Sequence, residues 1–142
     1  PVFSPRVFRE IIIPEVLPAV EGMELPWIYH SDGNLMAVLD DLLELLNPNA
    51  IHPIDPGSMD LGEVKRRYGH RVCLVGNIDL NYTLTRGTPA EVEEEVKSKI
   101  KVAGPGGRYI ISSANSLTSY CKLENVMAMS AAIRKYRSYP LS

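Results

Sequence analysis

The chain has 142 residues, 45% of them hydrophobic and 23% charged, with a formal net charge of −2 at pH 7. That length allows one domain with a sizeable core, and a near-neutral balance without a basic run argues against a nucleic-acid partner. No apolar stretch approaches the roughly 20 residues that cross a bilayer, and no basic-then-apolar signal pattern opens the chain, so no membrane partner is expected either.

Cys73 and Cys121 form neither a disulfide framework nor a zinc-finger spacing. Cys73, within VCLVG, reads as a small buried hydrophobe, and the setting reads as reducing and cytoplasmic. The chain opens on Pro1 without an initiator Met, and PVFSPRVFRE reads as the interior of a longer protein.

An amphipathic helix is expected over about 5–20, kinked or frayed where Pro14 and Pro18 remove backbone donors. A strand-then-helix unit then repeats four times. The first pairs the strand Trp27–Tyr29 with a helix carrying Leu35, Val38, Leu39, Leu42 and Leu46 at helical spacing, stopped by Asn47-Pro48-Asn49. The second pairs Ala50–Ile54 with a helix over Asp60–Tyr68. The third strand, Val72–Gly76, is a continuous apolar run suited to a parallel sheet. Its helix opens at Thr88-Pro89-Ala90-Glu91, a capping box with proline at the first helical position, and continues through Val92, Val96 and Ile100. In the fourth unit Tyr109–Ser112 precedes a helix over about Leu123–Tyr136.

Four βα units imply an α/β fold with a parallel sheet, either doubly wound or part of a (β/α)₈ barrel. A dinucleotide fold needs a glycine-rich loop after a strand. GPGG at 104–107 precedes one and is a turn. The barrel is favoured because every strand ends in polar residues: His30 and Asp32, His52 and Asp55, Asn77 and Asp79, then Ser112, Ser113 and Asn115. In a parallel barrel those ends share the catalytic face. A whole barrel takes about 250 residues, so this is about half of one, with unpaired edges that call for the other half or a second copy of the chain.

His30 and Asp32 alternate along extended backbone, so both can point to one side as acid and base or as metal ligands. The plainer reading has Asp32 or Asn34 capping the following helix. Asp79, in GNID, is a third catalytic candidate. His52 and Asp55, in a loop fixed by Pro53 and Pro56, suit a pocket wall, and Arg86 could meet an anionic substrate. The serines lie in no G-x-S-x-G elbow and read as hydrogen-bonding pocket residues, Ser113 among them. EVEEEVK reads as a solvated helix face.

FSPRVFREIIIPEVLP, HSDGNL, IHPIDPGSMDLGEVKRRYGHRVCLVGNID, GTPAEVEEEV, RYIISSANS and LENV, in that order, resemble the C-terminal half of the uroporphyrinogen decarboxylase superfamily. The resemblance covers essentially the whole chain and implies that residues 1–142 are one partial domain, the C-terminal half of a (β/α)₈ barrel. The superfamily contains cofactor-free decarboxylases of a tetrapyrrole, in porphyrin biosynthesis, and corrinoid-linked methyltransferases that use zinc to activate a thiol. In the methyltransferases a His-x-Cys zinc pair falls where His30-Ser31-Asp32 lies, and their third ligand, a cysteine, falls near Asn115, where the decarboxylases carry a histidine. Cys121 lies six residues beyond Asn115.

The expectation is therefore a decarboxylase-like lyase with His30, Asp32 and Asp79 catalytic. Asn77, Asn115, His52, Asp55, Ser113 and Arg86 are expected against a small-molecule substrate, a tetrapyrrole or a methyl carrier. No cofactor is expected. The alternatives are a zinc methyltransferase with His30 and Asp32 on the metal, and a non-catalytic half barrel that self-associates.

Overall fold

A computed structural model describes residues 3–138. Four short parallel strands, β1 (Ile28–His30), β2 (Ala50–His52), β3 (Cys73–Val75) and β4 (Tyr109–Ile110), form one sheet in the order β1-β2-β3-β4. Strand order that follows chain order, with no reversal, is barrel winding. A doubly wound sheet would switch direction at its ligand crevice.

The register sorts the side chains. Tyr29, Ile51, Leu74 and Tyr109 lie in one cross-strand row and pack into the core between sheet and helices. The alternate row, His30, His52, Val75 and Ile110, lies on the opposite face. That face is bare of helices: Ile28 is 54% and Ile110 53% exposed.

The opening helix, α1, runs unbroken as Pro5–Val7, a π-helical turn over Phe8–Ile12, and Ile13–Val20. The expected fraying does not occur. The Ile13 N–H reaches back to the Phe8 carbonyl, and Pro14 falls in the first turn of the next segment, where no backbone donor is required. The helix after β1 starts later than expected. Leu35 and Val38 are buried in a turn, and α2 runs only over Leu39–Asp41 with a π-helical turn at Leu42–Leu46, closed by Asn47 in the left-handed conformation. α3 (Leu61–Tyr68) is capped by Asp60, whose carboxylate accepts the Glu63 N–H.

The capping box forms as expected at the start of α4 (Pro89–Ala103), Thr88 and Glu91 bonding reciprocally. The last helix, α5, runs over Leu123–Tyr136 and packs on α4 around Val92, Val96, Ile100 and Ala132. β1 runs one residue past its expected end at Tyr29, whereas β2, β3 and β4 stop short of theirs. Pro53 has no N–H to continue β2, and β4 yields to a single bridge, Ile78 to Ser113. Cys73 is half-buried rather than buried, and burial pushes its thiol pKa up. No helix among the described residues is long and apolar enough to cross a membrane.

Candidate functional site

His30 and His52 are register partners at the C-terminal ends of neighbouring strands, so their side chains emerge next to each other. The rings stack with centroids 4.8 Å apart, and the two Nδ1 atoms are 2.7 Å apart, which requires one proton between them. His52 Nε2 lies 3.3 Å from the Ser113 carbonyl oxygen. A carbonyl only accepts, so Nε2 carries the hydrogen, and the Nδ1 of a neutral His52 must then accept. His30 Nδ1 therefore donates, leaving His30 Nε2 free at the mouth, 3.9 Å from Asp32 Oδ1.

Asp32 does not cap a helix. Both of its oxygens lie 3.1 Å from Asn115 Nδ2, so an amide from the loop after β4 holds a carboxylate from the loop after β1. Asn34 makes the local turn contact instead, accepting the Met36 N–H. Ser113 turns its hydroxyl toward the Asn115 carbonyl, tightening the same loop.

The other candidates separate into two kinds. Asn77 is 0% exposed and donates to the Ile54 carbonyl beneath the mouth, so its amide nitrogen holds backbone there, while its Oδ1 is buried without a partner. Gly76 before it has φ +124°, a conformation open to glycine alone, which explains the glycine of GNID. Asp79 accepts the N–H groups of Asn81, Tyr82 and Thr83. Asp55 accepts those of Gly33 and Gly57 and the Ser58 hydroxyl. Both carboxylates fold loops, although both also border a cavity. Burial pushes the Asp55 pKa up, but its three hydrogen bonds outweigh this and hold it below the ordinary carboxylate value.

Glu95 was hidden in the apparently solvated EVEEEVK. It is half-buried and reaches from α4 to accept the Asp79 N–H at 3.1 Å. Its position one turn from buried Val92 and next to Val96 was the available signal.

Two cavities open at the strand ends. The smaller, about 220 Å³, is bordered by Asp32, Asp55 and Asp79 and by no cation. The larger, about 660 Å³, is bordered by Asn81, Thr85, Arg86, Asn115 and Tyr120, and by no carboxylate. Leu80, Asn81 and Asn115 form walls common to both.

The family model for uroporphyrinogen decarboxylase (URO-D) matches residues 1–136. The chain belongs to the uroporphyrinogen decarboxylase family. Curated relatives carry both activities of the family. A methylcobamide:CoM methyltransferase, MtaA, of Methanosarcina barkeri is 26% identical over 133 residues, which is 94% of this chain and 38% of that protein. A uroporphyrinogen decarboxylase of Methylobacillus flagellatus is 32% identical over 81 residues, 57% of this chain and 22% of that protein. A solved methyltransferase from Methanosarcina mazei superposes with a TM-score of 0.81 at 21% identity, covering 96% of this chain and 39% of that one. The chain thus spans well under half the length of the relatives it matches, and its four βα units are part of a URO-D-family barrel.

The donor set does not fit the zinc site of the methyltransferase branch. His30 and Asp32 are two donors, and the third position holds Asn115, whose amide hydrogens are turned onto Asp32. Cys121 packs into the α4–α5 core instead of facing the mouth. Among the described residues no group of three or more His, Cys, Asp or Glu side chains is arranged to hold a metal ion.

Proposed function

We propose that this chain supplies the proton-handling side of a cofactor-free carboxy-lyase that acts on a tetrapyrrole, in porphyrin biosynthesis. The observation that supports it best is the imidazole pair, whose single shared proton leaves His30 Nε2 presented beside an oriented carboxylate. In a decarboxylation the carbon that loses CO2 retains the electron pair and must take a proton. His30 delivers it from Nε2, Asp32 stabilises the imidazolium beforehand, and Asn115 keeps Asp32 aimed. His52, fixed by the Ser113 carbonyl, holds His30 in the one tautomer that leaves Nε2 free.

The experiment is CO2 release from an acetate-bearing tetrapyrrole by the full-length protein, with zinc measured on the same sample. His30→Ala should lower kcat by about a hundredfold or more, the usual worth of a general acid, in a protein without stoichiometric zinc. One zinc per chain that is lost in His30→Ala, together with no CO2 release, overturns the lyase. It would favour methyl transfer, the second reading, which rests on the methyltransferase similarity and the place of His30 and Asp32 in it.

A further inference from the structure

The loop between β3 and α4 is built to hold one side chain. Asp79 caps its first turn, the Arg86 and Gly87 N–H groups bond to the Tyr82 carbonyl, and Leu84 is fully buried beneath it. From α5 and its N-terminal edge the Lys122 ammonium takes the carbonyls of Arg86 and Gly87 at 3.2 and 3.0 Å. The fully buried Asn125 amide takes those of Thr83 and Gly87. The backbone of Arg86 is thus fixed from both sides. Its guanidinium makes no ion pair or hydrogen bond among the described residues, as is also true of the exposed Arg66 and Arg71, but Arg86 borders the larger cavity.

The charges around the mouth are sorted. Arg86 is the single charged group bordering the larger cavity, and the three carboxylates border the smaller one. Asn115 is in both walls and touches Asp32, so the cation is one residue removed from the His30–Asp32 edge. Tyr120 borders the same cavity as Arg86, while Thr85 spends its hydroxyl hydrogen on the Asn81 carbonyl and so stiffens the loop.

We infer that the larger cavity is a subsite for a carboxylate of the ligand, bound by Arg86, with the rest of the molecule extending past Asn115 toward His30. A rigid loop that presents an unpaired guanidinium binds a planar carboxylate with little ordering cost. The neighbouring carboxylates repel the same group, so the anionic end has one place to go. This deepens the lyase reading and rests on it only for the identity of the whole ligand.

The test is calorimetric titration of the full-length protein with glutarate, and with uncharged glutaramide as control, in wild type, Arg86→Gln and Arg86→Lys. Glutarate should bind, weaken about tenfold or more in Arg86→Gln, recover in part in Arg86→Lys and lose affinity with added salt, while glutaramide does not bind. Equal glutarate affinity in wild type and Arg86→Gln overturns the subsite, and so does binding of glutaramide. Arg86-dependent glutarate binding without any tetrapyrrole turnover keeps the subsite and removes the lyase. Tetrapyrrole turnover with KM and glutarate affinity unchanged in Arg86→Gln does the reverse.

Discussion

Asp55 shows how one carboxylate can be mistaken for chemistry. Its position after a strand suggested a pocket group, and it does border the acidic cavity, but its oxygens are committed to Gly33, Gly57 and Ser58. Asp55→Ala strands those donors and should cost about 1–3 kcal/mol in urea unfolding at pH 7. The pH dependence follows from its depressed folded-state pKa. The unfolded chain takes up the proton first, so the stabilisation is full above the ordinary carboxylate value of about 4 and is lost as pH falls through the lower folded value. The gap between wild type and Asp55→Ala should therefore begin to narrow below about pH 4 and close once the pH is below the folded value. A gap that persists in acid would assign the cost to packing. Asp79 and Asn77 teach the same point. In a sequence, a polar residue at a strand end looks identical whether it faces a ligand or the backbone of the next loop.

At the scale of elements, the signals that held were local ones. The capping box at Thr88 and Glu91 was legible because both partners lie within one turn. The 104–107 turn was legible for the same reason, whereas Asp60, read as the first helical residue, turned out to be the cap. Thr88→Ala removes the acceptor for the Glu91 N–H and should cost about 1 kcal/mol in chemical denaturation. Because Thr88 directly follows the Arg86 loop, the same variant should raise hydrogen exchange at Leu84 and Arg86. Unchanged exchange would make the loop independent of the helix start. The starts and stops that sequence patterning missed were set by contacts from elsewhere. Leu35 and Val38 have helical spacing, yet they are buried in a turn, with the Leu35 N–H donated to Met59 Sδ and Asn34 bonded to the Ser58 carbonyl.

For the whole molecule, the decisive feature is a sheet covered on one side. β1 and β4 each have a strand neighbour on one side only, and Ile28 and Ile110 face out from the bare surface. Unpaired edges and an apolar face together favour association. The 15.8 kDa chain alone should elute in light-scattering chromatography as a dimer or larger. Ile110→Lys, placing a charge within the edge strand β4, should shift it toward monomer. A monomer of wild type at micromolar concentration would mean that the bare face is tolerated in water.

The sequence by itself determined the order and type of the elements, the sequential parallel sheet and the gathering of polar residues at the strand ends. Those follow from hydrophobic period, capping and turn residues, which act over a few positions along the chain. It also pointed to His30 and Asp32, and to Asn115 as the odd residue out. Only the tertiary structure decided which candidates meet. The pairing of His30 with His52 depends on strand register, and that of Asp32 with Asn115 depends on two loops 83 residues apart arriving at one rim. Register and loop approach are set by how the whole core packs, so no short window of sequence contains them.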